Sequence, residues 1–511
     1  MTVHSSESSM QISETPSSEL ESKKSSCWSP PRRYVVAFLA FLGFWNVYAL
    51  RVNLSVAIVA MTSNYTVHLD NGTTIQRRDF DWDSKTRGLL LSSFFYGYII
   101  TQIPGGWLGA RIGGALLFGA GIASTALLTL LTPLAASGGV TLLFVLRVLE
   151  GVFEGVTYPC IHAVWARWAP PLERSKLATL AFSGSYVGTV VALPLSGYLA
   201  KHVGWPYVFY VFGFIGLVWY AVWVAVVREG PELDPRISQE ELIYIQKSLG
   251  QQNYKKTSPP WGQFLKSAPV WAIIVAHFAE NWGFYTLLTQ LPTFMKDTLE
   301  FDLKDAGLLS ALPYLAMAAV LQLAGHLADW LRSKQFISTT AVRKLFNCGA
   351  FVSQTTFMML AAYLLAPLEA VACLTVAVGL GGFAWSGFSV NHLDIAPQYA
   401  SLLMGLSNTF ATLPGIISPA LTGIIVQNKS VEEWKIVFYI ASGIYLVGAV
   451  IYAICASGER QPWAIDEEPI PAVEKSKSKE HDRYSGLYDF NAMEQLKLPR
   501  PKLHHNDIND F

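Results

Sequence analysis

Charged residues are scarce in this chain, and neither sign predominates. They make up 14% of its 511 residues, whereas about 25% is usual in soluble globular proteins. Lysine plus arginine and aspartate plus glutamate both number 37, so no excess charge favours nucleic acid as a partner. Because 52% of the residues are hydrophobic, the composition predicts a protein integral to a membrane.

Catalytic and metal-binding motifs are also lacking. The sequence contains no G-x-S-x-G or H-E-x-x-H motif and no Cys/His spacing typical of zinc sites. Its five cysteines have no close pairing, and four lie in or beside apolar segments, as is typical of small buried residues. We therefore expect neither enzymatic activity nor a bound cofactor. The cysteines are Cys27, Cys160, Cys348, Cys373 and Cys455.

The two ends of the chain lack long hydrophobic runs. The first 30 residues are rich in serine and glutamate and contain no apolar run suited to a cleavable signal peptide, so we expect the first spanning helix to direct membrane insertion. Residues 1–33 and 457–511 are predicted to be disordered cytosolic tails, because their composition cannot build an apolar core.

Between these ends, twelve apolar segments reach the length of about 20 residues that a helix needs to cross a bilayer. A polar stretch at 229–268, predicted to be a cytosolic linker, separates two halves at 34–228 and 269–456. The sequence therefore predicts an all-α membrane protein with twelve transmembrane helices in two six-helix halves. The segments lie near 34–61, 87–110, 112–135, 139–165, 178–200, 206–228, 269–295, 304–330, 341–366, 368–391, 398–426 and 433–456.

Basic residues and glycosylation sequons agree on the orientation. Short loops on the cytosolic side of a membrane protein carry an excess of lysine and arginine, and one set of loops here carries Arg111, Arg167, Lys334 and Lys344. These loops share one side if both termini are cytosolic. The opposite loops carry acidic residues and three N-x-S/T sequons, which predict luminal or extracellular glycosylation. The sequon asparagines are Asn64, Asn71 and Asn428.

Each half carries a similar loop motif after its second helix. Residues 106–113 read GWLGARIG, and residues 325–332 read GHLADWLR. Both resemble the G-x-x-x-D-R-x-G loop of the major facilitator superfamily, whose two six-helix halves rock about a site near mid-membrane, although Ala110 replaces the aspartate and Trp330 displaces the arginine. The resemblance implies that superfamily's fold and a cytosolic latch that breaks when the protein changes face. The candidate latch residues are Arg111, Asp329 and Arg332, with the run 173–176.

The fourth apolar segment carries four ionisable residues on one side of a helix. At 100° per residue, Glu154 lies about 20° from Arg147, and Glu150 and His162 lie about 60° to either side. A charge at the bilayer centre costs at least ~2.5–3.5 kcal/mol, so such residues usually face a protein-lined or watery cavity. We predict that Arg147 binds a substrate carboxylate through its planar fork, and that Glu150, Glu154 and His162 couple transport to protons.

Each of these residues also has a structural interpretation. Arg147 can form a permanent ion pair with Glu150 or Glu154 that specifies one conformation. His162 can bond to a backbone carbonyl near a helix end instead of relaying protons. The residue pattern leaves both alternatives open.

Longer motifs resemble one family within that superfamily. The stretches RVNLSVA at 51–57, GYIITQIPGG at 97–106, EGVTYPCIH at 154–162, WAPPLERSK at 168–176 and NHLDIAP at 391–397 look like the organic-anion and phosphate transporters of the anion/cation symporter family. That family includes sialin, the vesicular glutamate transporters and sodium/phosphate cotransporters. The likeness implies a transporter of small organic anions.

The first and seventh segments add candidate substrate contacts. Tyr48 and Ser55 lie within about 60° of Arg51 on a helix, so a second cation has hydroxyl neighbours. The alternative is an arginine that snorkels to the luminal interface, and the family resemblance favours substrate binding by Arg51 and Tyr48. Glu280 and His277, one turn apart in the seventh segment, are further candidate contacts.

Two positions separate the branches of the family. The vesicular glutamate transporters have a histidine where this chain has Leu91 and an arginine where it has Glu280. The loss of a cation and the gain of an anion should change how anionic glutamate is handled. Residues 281–296 and 405–415 look more like sialin, so the resemblance favours the sialin branch.

The predicted function is proton-coupled symport of organic anions by alternating access, with sialic acid, other acidic sugars and acidic amino acids as candidate substrates. One alternative is a vesicular glutamate or aspartate transporter driven by membrane potential. Others are a sodium-dependent phosphate cotransporter, with sodium in place of the proton, and a membrane receptor that transports nothing.

A lysosomal or vesicular membrane is the expected location, ahead of the plasma membrane. Residues 1–33 hold no acidic di-leucine signal, whereas residues 484–487 (YSGL) fit a tyrosine signal that trafficking adaptors recognise. The expected partners are thus a small organic anion and adaptors at the cytosolic tails.

Overall fold

The amino half of the protein is built from long helices. The computed structural model describes residues 30–464 except 64, 69–73, 251–258, 298–308, 310, 365–366 and 429. The fourth span is divided into two helices. The helices of this half are α1 (Arg32–Thr62), α2 (Ser84–Ile112), α3 (Gly114–Ser137), α4 (Val140–Glu154), α5 (Thr157–Trp168), α6 (Arg174–His202) and α7 (Pro206–Val226).

The carboxyl half follows two short helices in the linker, α8 (Gln239–Leu249) and α9 (Trp261–Lys266). A π-helical turn at Trp385–Ser389 interrupts its fourth span. The other helices are α10 (Ala268–Asp297), α11 (Leu312–Ser333), α12 (Thr339–Tyr363), α13 (Pro367–Ala384), α14 (Val390–Ile395), α15 (Ala400–Ile425) and α16 (Val431–Cys455).

The predicted helical membrane fold is confirmed. A helix or a pair of helices coincides with each of the twelve predicted segments. Within the described residues, eight helices are long and apolar enough to cross a membrane by length and composition alone. The other four spans are α2, α4 with α5, α10 and α11, which carry more polar residues or are interrupted.

One small sheet departs from the all-α prediction. Strands β1 (Tyr65–His68) and β2 (Thr74–Arg77) pair antiparallel in the loop between α1 and α2, with Tyr65 opposite Arg77. The candidate glycosylation residues Asn64 and Asn71 belong to this loop but lie outside the described residues. The third, Asn428, is exposed in the turn before α16.

The two halves meet chiefly through α2, α5 and α6 on one side and α11 and α15 on the other. Helix α2 packs against α15, and α6 packs against α11, while α5 also contacts α15. At the α2–α15 contact, a Cβ added to Gly106 would collide with the carbonyl oxygen of Ser401. A Cβ on Gly405 would meet the carbonyl oxygen of Gln102. Glycine therefore allows the two backbones to approach closely at the interface.

A second close approach joins α2 to α4 inside the amino half. A Cβ on Gly151 would collide with the carbonyl oxygen of Phe94, and a Cβ on Gly97 would collide with that of Val148. The G-x-x-x-G pattern of Gly151 and Gly155 thus serves helix packing.

Replacing Gly151 with alanine should lower the free energy of unfolding by about 1–3 kcal/mol, the usual cost of overpacking. Gly443 of α16 is a matched control, because no heavy atom lies within 4 Å of a Cβ built there. Alanine raises helix propensity equally in both variants, so the difference between their free energies of unfolding measures the cost of the contact at Gly151. Denaturant titration of the purified proteins in detergent gives both values. Equal stability of the two alanine variants would contradict the close approach.

The first described residues correct the predicted amino-terminal boundary. Arg32 and Arg33 were placed in the tail at 1–33, but they begin α1 and hold the linker. Arg32 Nε lies 2.8 Å from Asp234 Oδ2, and Arg33 bonds both Glu173 Oε2 at 2.6 Å and Glu241 Oε1 at 2.9 Å. Burial alone would raise the pKa of Glu173, but the hydrogen bond and charge of Arg33 hold it below its usual range.

The predicted carboxyl-terminal boundary also moves. Residues 457–464 were assigned to the tail, yet they pack on the carboxyl half. The amide of Gly458 donates to Thr340 Oγ1 at 2.8 Å, and the amide of Gln461 donates to the carbonyl of Ile395 at 2.9 Å. These hydrogen bonds pair the backbone amides of Gly458 and Gln461, and composition alone does not predict such contacts. The tail beyond Ala464 lies outside the described residues.

Candidate functional site

Two buried ion pairs lie side by side in the amino half. Arg51 of α1 donates from Nε and Nη2 to one oxygen of Glu154 on α4, at 2.9 and 2.6 Å. Arg147 donates to Glu150 one helical turn later. All four side chains are at most 7% exposed. Since a buried charge is tolerated only with a partner, each arginine here depends on its carboxylate.

The Arg147–Glu150 pair is held from a third helix. Thr129 and Thr132 of α3 each donate a hydroxyl to Glu150 Oε1 at 3.3 Å. Arg147 Nη2 also reaches the backbone carbonyl of Arg51 at 3.4 Å. Glu150 thus accepts from three side chains, and its position is set within the amino half.

The Arg51–Glu154 pair is less completely satisfied. Glu154 Oε2 is buried and has no hydrogen-bond partner among the described residues. The Arg51 guanidinium instead lies over the rings of Tyr48, Phe94 and Tyr98, with 4.8, 4.9 and 4.7 Å to the ring centres. Aromatic faces attract a cation without neutralising it. This pair therefore retains capacity for another ligand.

Asn408 links this aromatic cluster to the carboxyl half. Its amide nitrogen on α15 donates to the Tyr98 hydroxyl at 3.1 Å and to Gln102 Oε1 at 2.8 Å. A change at the interface between the halves consequently reaches a ring that contacts Arg51.

His162 does not face the ion pairs, although it was predicted on the same stripe. The break between α4 and α5 directs it toward the carboxyl half. Its Nδ1 lies 3.0 Å from the carbonyl of Tyr158 and its Nε2 lies 3.1 Å from the carbonyl of Ser389. A neutral imidazole has one N–H and satisfies one of these acceptors, whereas the imidazolium satisfies both.

The π-helical turn supplies the Ser389 acceptor. A π turn shifts the backbone hydrogen-bond register and often marks functional sites. The Ser389 carbonyl also receives His392 Nδ1 at 2.8 Å, and His392 Nε2 lies 2.9 Å from Ser407 Oγ. His277 Nδ1 reaches the same hydroxyl at 3.1 Å. Three buried histidines therefore meet across the interface between the halves.

A polar network closes the space between the halves at the end that the sequence predicts to be cytosolic. Asp329 of α11 accepts the amides of Ser175 and Lys176 at the start of α6, at 3.3 and 2.7 Å. Arg332 donates to the carbonyl of Pro171 at 2.6 Å. Both residues were predicted latch members, and here they bind the opposite half.

Arg343 and Asp394 complete this network from within the carboxyl half. Their side chains pair at 2.6 Å, and Arg343 also donates to Ser175 Oγ at 2.9 Å. Arg174 of α6 donates to the carbonyl of Leu393 at 2.9 Å and lies 3.8 Å from Asp394.

Arg111, the third predicted latch residue, lies elsewhere. Its guanidinium stacks on Trp107, 4.2 Å from the ring centre. It lines a cytosolic recess of about 1240 Å³ bounded by α2, α5, α8 and the start of α15. The structure does not bring it to Asp329 and Arg332, because Arg111 belongs to α2, which packs on α15 and not on α11.

Glu280 is the remaining predicted substrate contact. It is 1% exposed on α10 and lies in the carboxyl half with Gln354 of α12 and Tyr445 of α16. In the described residues it has no basic partner in any ion pair, unlike Glu150 and Glu154.

Comparison with known proteins identifies the family. The sequence profile of the Major Facilitator Superfamily matches residues 34–419. The chain belongs to the major facilitator superfamily. Human sialin is 48% identical over 451 residues, covering 85% of this chain and 91% of sialin. Human vesicular glutamate transporter 2 is 46% identical over 447 residues, covering 86% and 77%. Bovine vesicular glutamate transporter 1 is 45% identical over 478 residues, covering 93% and 85%.

These relatives confirm the anion/cation symporter family that the motifs predicted. The protein is thus a multi-pass membrane transporter and not an enzyme. In this transporter family the halves rock about a site at mid-membrane. With the predicted orientation, the network of Asp329 and Arg332 closes the protein toward the cytosol. The paired arginines lie in the amino half above that closure.

Some contacts of the site could not be predicted from the sequence pattern. The aromatic faces of Phe94 and Tyr98 around Arg51 come from another helix, and aromatic residues are common throughout the chain. Asp394 offered one clue, since it is a carboxylate at the end of an apolar segment. In the described residues no cluster of three His, Cys, Asp or Glu side chains is placed to hold a metal ion.

Proposed function

We propose that this transporter is a proton-coupled symporter of carboxylate-bearing organic anions. The observation that carries the proposal is the buried Arg51–Glu154 pair, in which Glu154 Oε2 is unpartnered and the guanidinium rests on aromatic rings. A substrate carboxylate competes with Glu154 for Arg51, since guanidinium and carboxylate form two parallel hydrogen bonds.

Proton coupling follows from this competition. When the substrate takes Arg51, Glu154 loses its cation inside a site that excludes water. An unpaired buried carboxylate is costly and neutralises by binding a proton. Substrate and proton therefore occupy the site together, and one without the other leaves an uncompensated charge.

The second pair has a different part in this proposal. Arg147 stays with Glu150, which two threonines also hold, and it orients Arg51 through the backbone carbonyl. Arg147 Nε has no hydrogen-bond partner among the described residues, so Arg147 can donate to a hydroxyl or a second acceptor of the substrate while Glu150 balances its charge.

Sialic acid is the first substrate to test, and a lysosomal or vesicular membrane is the proposed location. The relatives named sialin and vesicular glutamate transporter have nearly equal identity, so glutamate is the second candidate. Glu280 and Leu91 favour the first, because each removes a cation that the glutamate-transporter branch carries.

Purified transporter in proteoliposomes should accumulate labelled sialic acid when the external solution is more acidic than the interior, so that the proton gradient is directed inward. At one-to-one coupling a gradient of one pH unit supports about tenfold accumulation, since one unit equals ~1.36 kcal/mol. A protonophore should abolish the effect, and replacing sodium with potassium should not. Two results would contradict the proposal. One is uptake of sialic acid that does not depend on the pH gradient, and the other is uptake of glutamate alone, driven by a membrane potential.

A further inference from the structure

A second buried carboxyl, which belongs to the carboxyl half, has unused hydrogen-bonding capacity. Glu280 on α10 is 1% exposed and accepts a hydrogen bond from Gln354 of α12. The same Gln354 nitrogen donates to the Tyr445 hydroxyl of α16 at 3.1 Å. Three helices of the carboxyl half thus converge on this side chain.

Three residues that line one small cavity carry unpartnered oxygens. They are Glu280 Oε2, Gln354 Oε1 and the Tyr314 hydroxyl, all buried and without a hydrogen-bond partner among the described residues. The cavity has a volume of about 10 Å³, close to the space that one water occupies. Buried polar atoms left unpaired are rare in folded proteins and call for a ligand, a proton or a water.

The surroundings offer nothing to neutralise a carboxylate. The ionisable groups near Glu280 are Tyr445 of α16, Tyr314 of α11 and Tyr186 of α6. His277 lies one turn away on α10, and its Nδ1 bonds to Ser407 Oγ. No arginine or lysine of the described residues pairs with it. The rest of the wall is apolar, with Phe284 among its members.

We propose that Glu280 is a proton-binding site of the carboxyl half, occupied in the cytosol-closed conformation. The acid form places an O–H at Oε2, and one water in the cavity links it to Gln354 Oε1 and to the Tyr314 hydroxyl. Every orphaned oxygen then has a partner. This site rests on the proposed symport, but it is distinct from the Arg51–Glu154 pair.

Rocking of the halves explains how the proton leaves. Tyr186 of α6 lies against Phe284, with ring centres 5.8 Å apart, and so helps to cover Glu280 from the amino half. Separation of α6 from the carboxyl half admits water, which stabilises the carboxylate. The O–H bond of Glu280 then breaks and its proton passes to that water.

Glu280→Gln tests the site by infrared spectroscopy and by transport. Wild-type transporter should show the C=O band of a buried carboxylic acid that shifts in D₂O, and the variant should lack it. Its sialic acid accumulation under one pH unit should fall about tenfold, which is the contribution of one coupled proton. Glu369→Gln, an exposed carboxyl on α13, is the matched control and should keep both the band and the accumulation.

Each contrary result overturns the inference. The band persisting in Glu280→Gln would place the proton elsewhere, and unchanged accumulation in that variant would remove Glu280 from coupling. A band absent from wild type, with uptake that requires sodium, would assign the cavity to a sodium ion. If wild type fails to respond to the pH gradient, the proposed symport fails, while the band still reports whether Glu280 holds a proton.

Discussion

Replacing Glu154 with glutamine should tighten binding of the substrate anion about tenfold or more and abolish its accumulation under a pH gradient. Removing one partner of a buried ion pair leaves a penalty of about 3–5 kcal/mol. An incoming carboxylate relieves that penalty at Arg51, and tenfold tighter binding uses only ~1.4 kcal/mol of it. Glutamine cannot take up a proton, so the coupled step is lost.

Binding of labelled sialic acid to the purified protein measures the first effect, and proteoliposome uptake measures the second. Arg51→Gln should lose binding. The double variant of Arg51 and Glu154 to glutamine leaves no unpaired charge, so it should be more stable than either single variant and still fail to bind. Weaker binding by a well-folded Glu154→Gln protein would show that Glu154 does not compete with the substrate.

Replacing Asp329 with alanine should shift the transporter toward a cytosol-open conformation by about 10- to 100-fold. The Asp329 carboxylate accepts two amides of the opposite half, and hydrogen bonds to a charged group contribute about 1.5–3 kcal/mol. Those amides lose their partner only in the closed conformation, because water satisfies them once the halves separate.

Spin labels at the exposed positions Leu172 and Lys334 would report this shift as a longer distance distribution. Arg111→Ala is the control, since Arg111 lies on Trp107 outside the network, and it should leave the distances unchanged. A shift of the same size in both variants would mean that loop charge, and not the Asp329 contact, holds the gate.

Much of the fold could be predicted from the sequence, because a lipid bilayer restricts which structures can span it. A spanning helix must be apolar over about 20 residues, and this length rule located α1, α3 and α7 to within a few residues. Composition misjudged the ends, where Arg32 binds Asp234 of the linker and Arg33 binds Glu173, 202 and 140 positions away along the chain. A polar residue near a terminus looks the same in sequence whether it is solvated or paired.

The sequence predicted which residues form the candidate site better than it predicted which of them form ion pairs with each other. Helical spacing placed Arg147, Glu150 and Glu154 on one face, and the structure brings them together. The partner of Glu154 is Arg51, which spacing within α4 could not indicate. The helix break after Glu154 turns His162 to another surface, because a small shift in helical register rotates every later side chain.

The amino-acid sequence was sufficient to predict that this chain crosses a membrane in two six-helix halves, belongs to a transporter family and carries ionisable residues at membrane depth. Those properties depend on composition, periodicity and local motifs. The three-dimensional structure was needed to show which charges are paired and which latch residues contact the opposite half. It also showed that Glu280 lies beside a cavity and pairs with no arginine or lysine of the described residues. Such contacts join helices far apart in the chain, and their energies depend on distances and on the exclusion of water.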